Sequence, residues 1–168
     1  MLRVGVITAS DKGSRGERED LSGPTLAKLV QEIGGEVVEY VVLPDDQALL
    51  EKTMCLWADE LSLDLILTTG GTGFSMRDVT PEATLAVADR MVPGIAEVMR
   101  MESLKVTPKA MLSRAIAVLR KRTLIINLPG SVKAVRECFA AIAPAIPHGI
   151  QILKGEASEC GSSLQHLN

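Results

Sequence analysis

The chain has 168 residues, 46% of them hydrophobic, a formal net charge of −3 and three cysteines. That length suits one domain with a full core, and the charge removes any electrostatic case for nucleic acid or an anionic membrane as partner. No apolar run approaches the ~18 residues of a membrane span. Cys55, Cys138 and Cys160 are too widely spaced, and odd in number, for a disulfide framework or a zinc site.

A strand is predicted at once, over residues 4–9, which leaves no room for a leader peptide. With unpaired cysteines, a reducing cytoplasm is the expected compartment. Residues 10–20 are polar and form a loop of functional length. Ser22 is the predicted cap of a helix whose buried face is Leu26, Leu29, Val30 and Ile33, and which stops at Gly34-Gly35. Residues 37–43 are a second strand. Asp45 is the predicted cap of the next helix, with Leu50, Met54, Trp57 and Leu61 inward, and Asp46 reads as an exposed acid of its first turn. Residues 65–69 are a third strand, followed by a turn on Gly70, Gly71 and Gly73. Thr80-Pro81-Glu82 then starts a helix with Thr80 as cap, and another helix runs from about Pro93 to Ser103. Residues 115–119 and 123–127 are strands joined by Arg120-Lys121-Arg122, so short a link that they must be antiparallel neighbours. Ser131 caps a helix with Val132, Val135, Phe139 and Ile142 inward. Pro144 and Pro147 break it before a last turn near Ile150.

Alternating strands and helices predict a three-layer α/β/α domain with a mostly parallel sheet and one antiparallel edge strand. Residues 1–155 form the domain and 156–168 a C-terminal tail. Only four residues are aromatic, so the core is aliphatic, as a sheet buried on both faces requires. Ligands of such sheets bind outside the carboxyl ends of the strands. Four loops leave strands there: Ser10-Asp11, Pro44-Asp45-Asp46, Gly70 to Asp78, and Leu128-Pro129-Gly130-Ser131.

The glycine turn carries the chemistry. Backbone N–H groups exposed after a parallel strand bind anions, and Asp78 sits in the same loop, where packing calls for no carboxylate. Phosphate donors beside an acid for a cation suit phosphoryl or nucleotidyl transfer. It is not a P-loop, because Phe74-Ser75-Met76-Arg77 follows Gly73 where Gly-Lys-Ser/Thr is required. Nor is it the dinucleotide fingerprint, because Met76 stands where the third glycine belongs.

The full string from Asp64 through Thr-Thr-Gly-Gly-Thr-Gly-Phe-Ser-Met-Arg-Asp-Val-Thr-Pro-Glu-Ala to Thr84 resembles the molybdopterin adenylyltransferases of molybdenum-cofactor biosynthesis. That family includes free-standing bacterial enzymes and the matching domains of plant and animal cofactor-synthesis proteins, gephyrin among them. The resemblance spans residues 4–155. It implies ATP-dependent adenylylation of molybdopterin with release of pyrophosphate, a homotrimer, and a molybdate-insertion protein as downstream partner. It implies that Asp78, and Asp45 of Pro44-Asp45, are catalytic and hold Mg²⁺. Nucleotide contact is implied for Gly70, Gly71, Thr72, Gly73, Pro129, Gly130 and Ser131, and pterin contact for Ser10, Asp11, Ser113 and Arg114. Lys12 departs from the arginine of many relatives, and Ser75-Met76 depart from the usual Ala-Pro or Thr-Pro. Trp57, Met54 and Cys55 read as core or helix surface, and His148 and His166 lie outside every motif. A molybdopterin-binding paralogue without catalysis, or a scaffold protein, stays open as an alternative.

Overall fold

The computed structural model describes residues 1–156. Cys160, His166 and all of the expected tail except Glu156 lie outside the described residues. The elements in chain order are β1 (Leu2–Ala9), α1 (Asp11–Ser14), α2 (Ser22–Glu32), β2 (Gly35–Leu43), α3 (Gln47–Asp59), β3 (Leu65–Thr69) and α4 (Thr80–Ala86). There follow β4 (Arg90–Met91), α5 (Pro93–Leu104), a 3-10 turn (Pro108–Leu112), β5 (Ala117–Arg120), β6 (Thr123–Leu128), α6 (Val132–Ile142), a second 3-10 turn (Ala143–Ala145) and α7 (Ile146–Lys154).

The sheet has six strands in the order β2-β1-β3-β6-β5-β4. The first four run parallel, β5 is antiparallel to β6, and β4 is antiparallel to β5. The fold is the three-layer α/β/α domain that the alternation of elements predicts. Its strands read as continuous apolar runs because both faces are covered, yet they sort with a period of two. Val4, Val6, Leu65, Leu67, Leu124 and Ile126 pack with α2, α5, α6 and α7. Ile7, Ile66, Ile125 and Val118 pack with α3 and α4. Trp57 of α3 is 4% exposed and lies over Gly5 of β1, where an added Cβ would come within 2.5 Å of the indole. Trp57→Ala is therefore expected to cost about 3–5 kcal/mol of stability by leaving a cavity on that face, to be measured by denaturant unfolding.

Several local expectations are corrected. Ser22 is the first residue of α2, not its cap. The Asp20 carboxylate, two residues earlier, accepts from the backbone N–H groups of Ser22 and Gly23, each at 3.0 Å. Asp46, not Asp45, caps α3, accepting from Leu49 N at 2.9 Å. Thr80 is already helical and makes no cap; Val79 precedes it in that place. The long polar loop contains α1, capped by Ser10, whose Oγ accepts from Gly13 N at 3.0 Å. The hairpin strand β5 runs antiparallel to β6 as expected, but the two-residue β4 pairs outside it and occupies the edge. The last turn near Ile150 is the nine-residue helix α7, in which Pro147 sits at the second position, where a missing N–H costs nothing. Ser131 caps α6 as expected, accepting from Ala134 N.

The parallel strands set the site. Thr8 of β1 stands opposite Thr69 of β3, Thr69 opposite Leu128 of β6, and Ala9 opposite Leu43 of β2. All four carboxyl ends therefore share one edge. Strand order reverses between β1 and β3, the place where such sheets open a crevice.

Candidate active site

A cleft of about 580 Å³ opens at that crevice, lined among others by Ser10, Asp20, Asp45, Gly70, Gly71, Asp78, Gly130 and Ser131. Residues from four separate loops, expected together from topology, thus meet in one place. A smaller cleft of about 300 Å³ lies on the α5–α6 side of the same glycine loop. Thr72, Gly73, Ser113 and Pro129 contribute to it, with Met99, Arg100 and Cys138. The residues expected at the nucleotide are therefore divided between the two clefts. Those expected at the pterin are divided too, with Ser10 on the larger and Ser113 on the smaller.

The glycine loop is held from several directions. Gly70 and Gly71 have φ of +91° and +66°, the left-handed region that glycine alone enters without strain. A Cβ at Gly71 would also come within 2.4 Å of Thr80 Oγ1 and 3.0 Å of Asp45 Oδ1, so no larger residue fits. Thr80 binds the loop twice: its N–H donates to Gly71 O at 3.1 Å and its hydroxyl to Gly70 O at 3.0 Å. Arg114 holds the outer half. Its guanidinium donates to Gly73 O and Asp78 O, each at 2.7 Å, and pairs with Glu82. The structure thus gives Arg114 to the loop carbonyls, a fastening role that its position before the hairpin did not reveal. Asp78 accepts from Ser75 N at 3.1 Å and lines the larger cleft.

Asp45 is the least satisfied group of the site. Freed from capping by Asp46, it exchanges hydrogen bonds with Asp11: Asp11 N donates to Asp45 Oδ2, and Asp45 N to Asp11 Oδ1, both at 3.0 Å. Its other oxygen, Oδ1, is buried with no hydrogen-bond partner and faces Gly71. Burial pushes the Asp45 carboxyl up from its ordinary value, and the charges of Asp11 and Asp78 add to this. Asp11 goes the other way. Its hydrogen bonds from Arg77 and from Asp45 N hold it down at about 2.

Three residues not singled out in the sequence prove important here. Arg77 pairs with Asp11 through two bonds of 2.9 Å and so ties the glycine loop to α1. Asp20 gathers Thr8 Oγ1 at 2.5 Å, Tyr40 OH, and the N-terminus of α2. Burial alone would raise its pKa, but these donors outweigh it and hold the carboxylate low. Asn127 is fully buried and donates to Thr68 Oγ1 at 3.0 Å and Thr84 Oγ1 at 2.8 Å, joining β6, β3 and α4 beneath the loop. Only Arg77 had a usable signal, as the neighbour of Asp78 in the matched string.

The residues suit a divalent cation. Such an ion takes one or two protein carboxylates and completes its shell with phosphate and water. A buried, unpartnered carboxylate oxygen at Asp45, destabilised by its neighbours' charge, is the group such an ion would satisfy, and Asp78 lines the same cleft.

The chain is similar to known proteins over most of its length. A family model described as "Probable molybdopterin binding domain" matches residues 5–148. The chain is 46% identical over 156 residues to a molybdopterin adenylyltransferase of Helicobacter pylori, covering 92% of this chain and 89% of that protein. It is 44% identical over 163 residues to a gephyrin of Dictyostelium discoideum, covering 91% of this chain and 23% of that protein. The crystal structure of the molybdopterin biosynthesis enzyme MoaB from Thermus thermophilus has a TM-score of 0.88 at 48% identity, covering 95% of this chain and 100% of that one.

Proposed function

The chain belongs to the molybdopterin-binding domain family, and from that membership we propose that it adenylylates molybdopterin at the expense of ATP. The observation that most supports this reading is the unpartnered Asp45 Oδ1 facing the glycine loop, across a cleft that also holds Asp78.

In this mechanism the terminal phosphate of the pterin attacks the α-phosphorus of ATP. The bond from the α-phosphorus to its bridging oxygen breaks, and pyrophosphate leaves. Backbone N–H groups of the glycine loop and the α6 N-terminus at Gly130-Ser131 bind phosphate oxygens. The Thr80 and Arg114 hydrogen bonds keep those donors in place before substrate arrives, so alignment costs little at the moment of reaction. Asp45 and Asp78 would hold Mg²⁺, which when bound neutralises charge on the triphosphate. The adenylylated pterin is then the activated acceptor for a molybdate-insertion protein. A homotrimer in the cytoplasm is part of the same reading. Exposed Val98, Met101 and Leu104 of α5, with Met111 and Leu112, supply apolar surface of the kind self-association needs.

No general base is required. A phosphate monoester has a second pKa near ~6 and is already largely dianionic at neutral pH. His148 lies on α7, outside both clefts. Turnover is therefore expected to fall on the acid side of about pH 6, as the attacking phosphate is protonated, and His148→Ala is expected to leave that profile in place. Loss of turnover by orders of magnitude in a folded His148→Ala variant that still binds both substrates would end the base-free mechanism. The experiment that tests the function itself is pyrophosphate release from ATP, with and without molybdopterin. Release that depends on the pterin supports adenylylation; pterin binding without release identifies a binding protein.

A further inference from the structure

We infer that Phe74 is a stacking platform for the planar heterocycle of a bound substrate, a reading that rests on the proposed function. The chain has one Trp, one Tyr and two Phe. Trp57 and Phe139 are core residues, 4% and 1% exposed. Tyr40 is committed to the Asp20 carboxylate through its hydroxyl. Tyr40 is itself 45% exposed, and Phe74, 69% exposed, is the most open of the four rings, on the loop that separates the two clefts. It follows Gly73, which lines the smaller cleft, and precedes Asp78 of the larger one by four positions.

The backbone beneath that ring is fastened. Arg114 holds the carbonyls of Gly73 and Asp78. Ser75 is bonded to Asp78 through both N–H and C=O, and Arg77 is paired with Asp11. A ring displayed on a fixed loop whose neighbouring residues line both clefts is preorganised for a flat partner and loses little freedom on binding. Both substrates of the proposed reaction carry a planar nitrogen heterocycle, adenine in one and pterin in the other. The shared chemistry is a flat, amino-substituted pyrimidine ring stacked on a phenyl face.

The test is titration of wild type, Phe74→Ala and Phe74→Trp with three ligands separately: ATP, molybdopterin and inorganic tripolyphosphate, which has no ring. Loss of one stacked base partner corresponds to roughly 5- to 150-fold in affinity. Phe74→Ala is expected to lose that much for ATP or for molybdopterin, and the ligand affected identifies the ring. Its affinity for tripolyphosphate is expected to stay within about twofold of wild type. Phe74→Trp is expected to restore affinity, with indole fluorescence quenched by the same ligand. Unchanged affinity of Phe74→Ala for both ring-bearing ligands overturns the inference. So does an equal loss for tripolyphosphate, which would mean the loop, not the ring, had been disturbed. If wild type itself bound neither ATP nor molybdopterin, the proposed function would fail, and the stacking role with it.

Discussion

Asp78→Asn is expected to lower adenylyl transfer at least ~10²-fold, the scale on which a preorganised electrostatic group acts, while leaving the fold and pterin binding nearly intact. The substitution separates charge from shape. Asp78 accepts a hydrogen bond from Ser75 N at 3.1 Å, and asparagine keeps an oxygen for that bond, so the loop retains its turn. The carbonyl of residue 78, gripped by Arg114, is untouched. What disappears is one negative charge in the cleft that also contains Asp45. Pyrophosphate release in the presence of molybdopterin, with circular dichroism to verify folding, reads the effect. Release at the wild-type rate from the folded variant would remove Asp78 from the catalytic machinery.

Asp45→Asn is expected to move activity and stability in opposite directions. Turnover should drop by a comparable ~10² or more, because the unpartnered carboxylate oxygen facing Gly71 is lost. Stability at neutral pH should rise. The Asp45 carboxyl is raised from its ordinary 3.8, first by burial and then by the charges of Asp11 and Asp78. For an acid whose folded pKa lies above its unfolded one, the contribution to stability is favourable below the unfolded value and is lost as pH rises through the folded value. At pH 7 the ionised group therefore opposes folding. Asparagine removes that charge and keeps an oxygen for the bond from Asp11 N. The gain in Tm should shrink as the pH falls through the raised pKa of the wild-type carboxyl, which then takes up its proton. Scanning calorimetry at pH 7 and pH 4 checks this. A lower Tm for the variant at pH 7 would show that Asp45 is held by contacts that stabilise its charge.

The layer architecture, the shared edge of four strand ends and the glycine turn beside an acid are all legible in the order of residues. These are local or periodic properties. Val4, Val6 and Ile7, or Leu65, Ile66 and Leu67, read as buried strands whichever face each side chain takes, and Gly70-Gly71 mark a turn from backbone sterics alone. How neighbouring groups of the same kind divide their work emerges in the folded molecule alone. Asp45 and Asp46 are adjacent acids after a strand, and nothing in their order shows which caps α3. The choice follows from Asp11, 34 residues away, which exchanges two hydrogen bonds with Asp45 and leaves Asp46 to the helix. In the same way, Arg114 is turned to the carbonyls of Gly73 and Asp78, and Asn127 to Thr68 and Thr84, by partners more than 30 positions distant. A two-residue strand such as β4 has too few side chains to show a period and exists because β5 offers it an open edge. Hydrogen-bond partners of polar side chains are chosen across the fold, where burial makes an unpaired group expensive, and residue order along the chain does not record that choice.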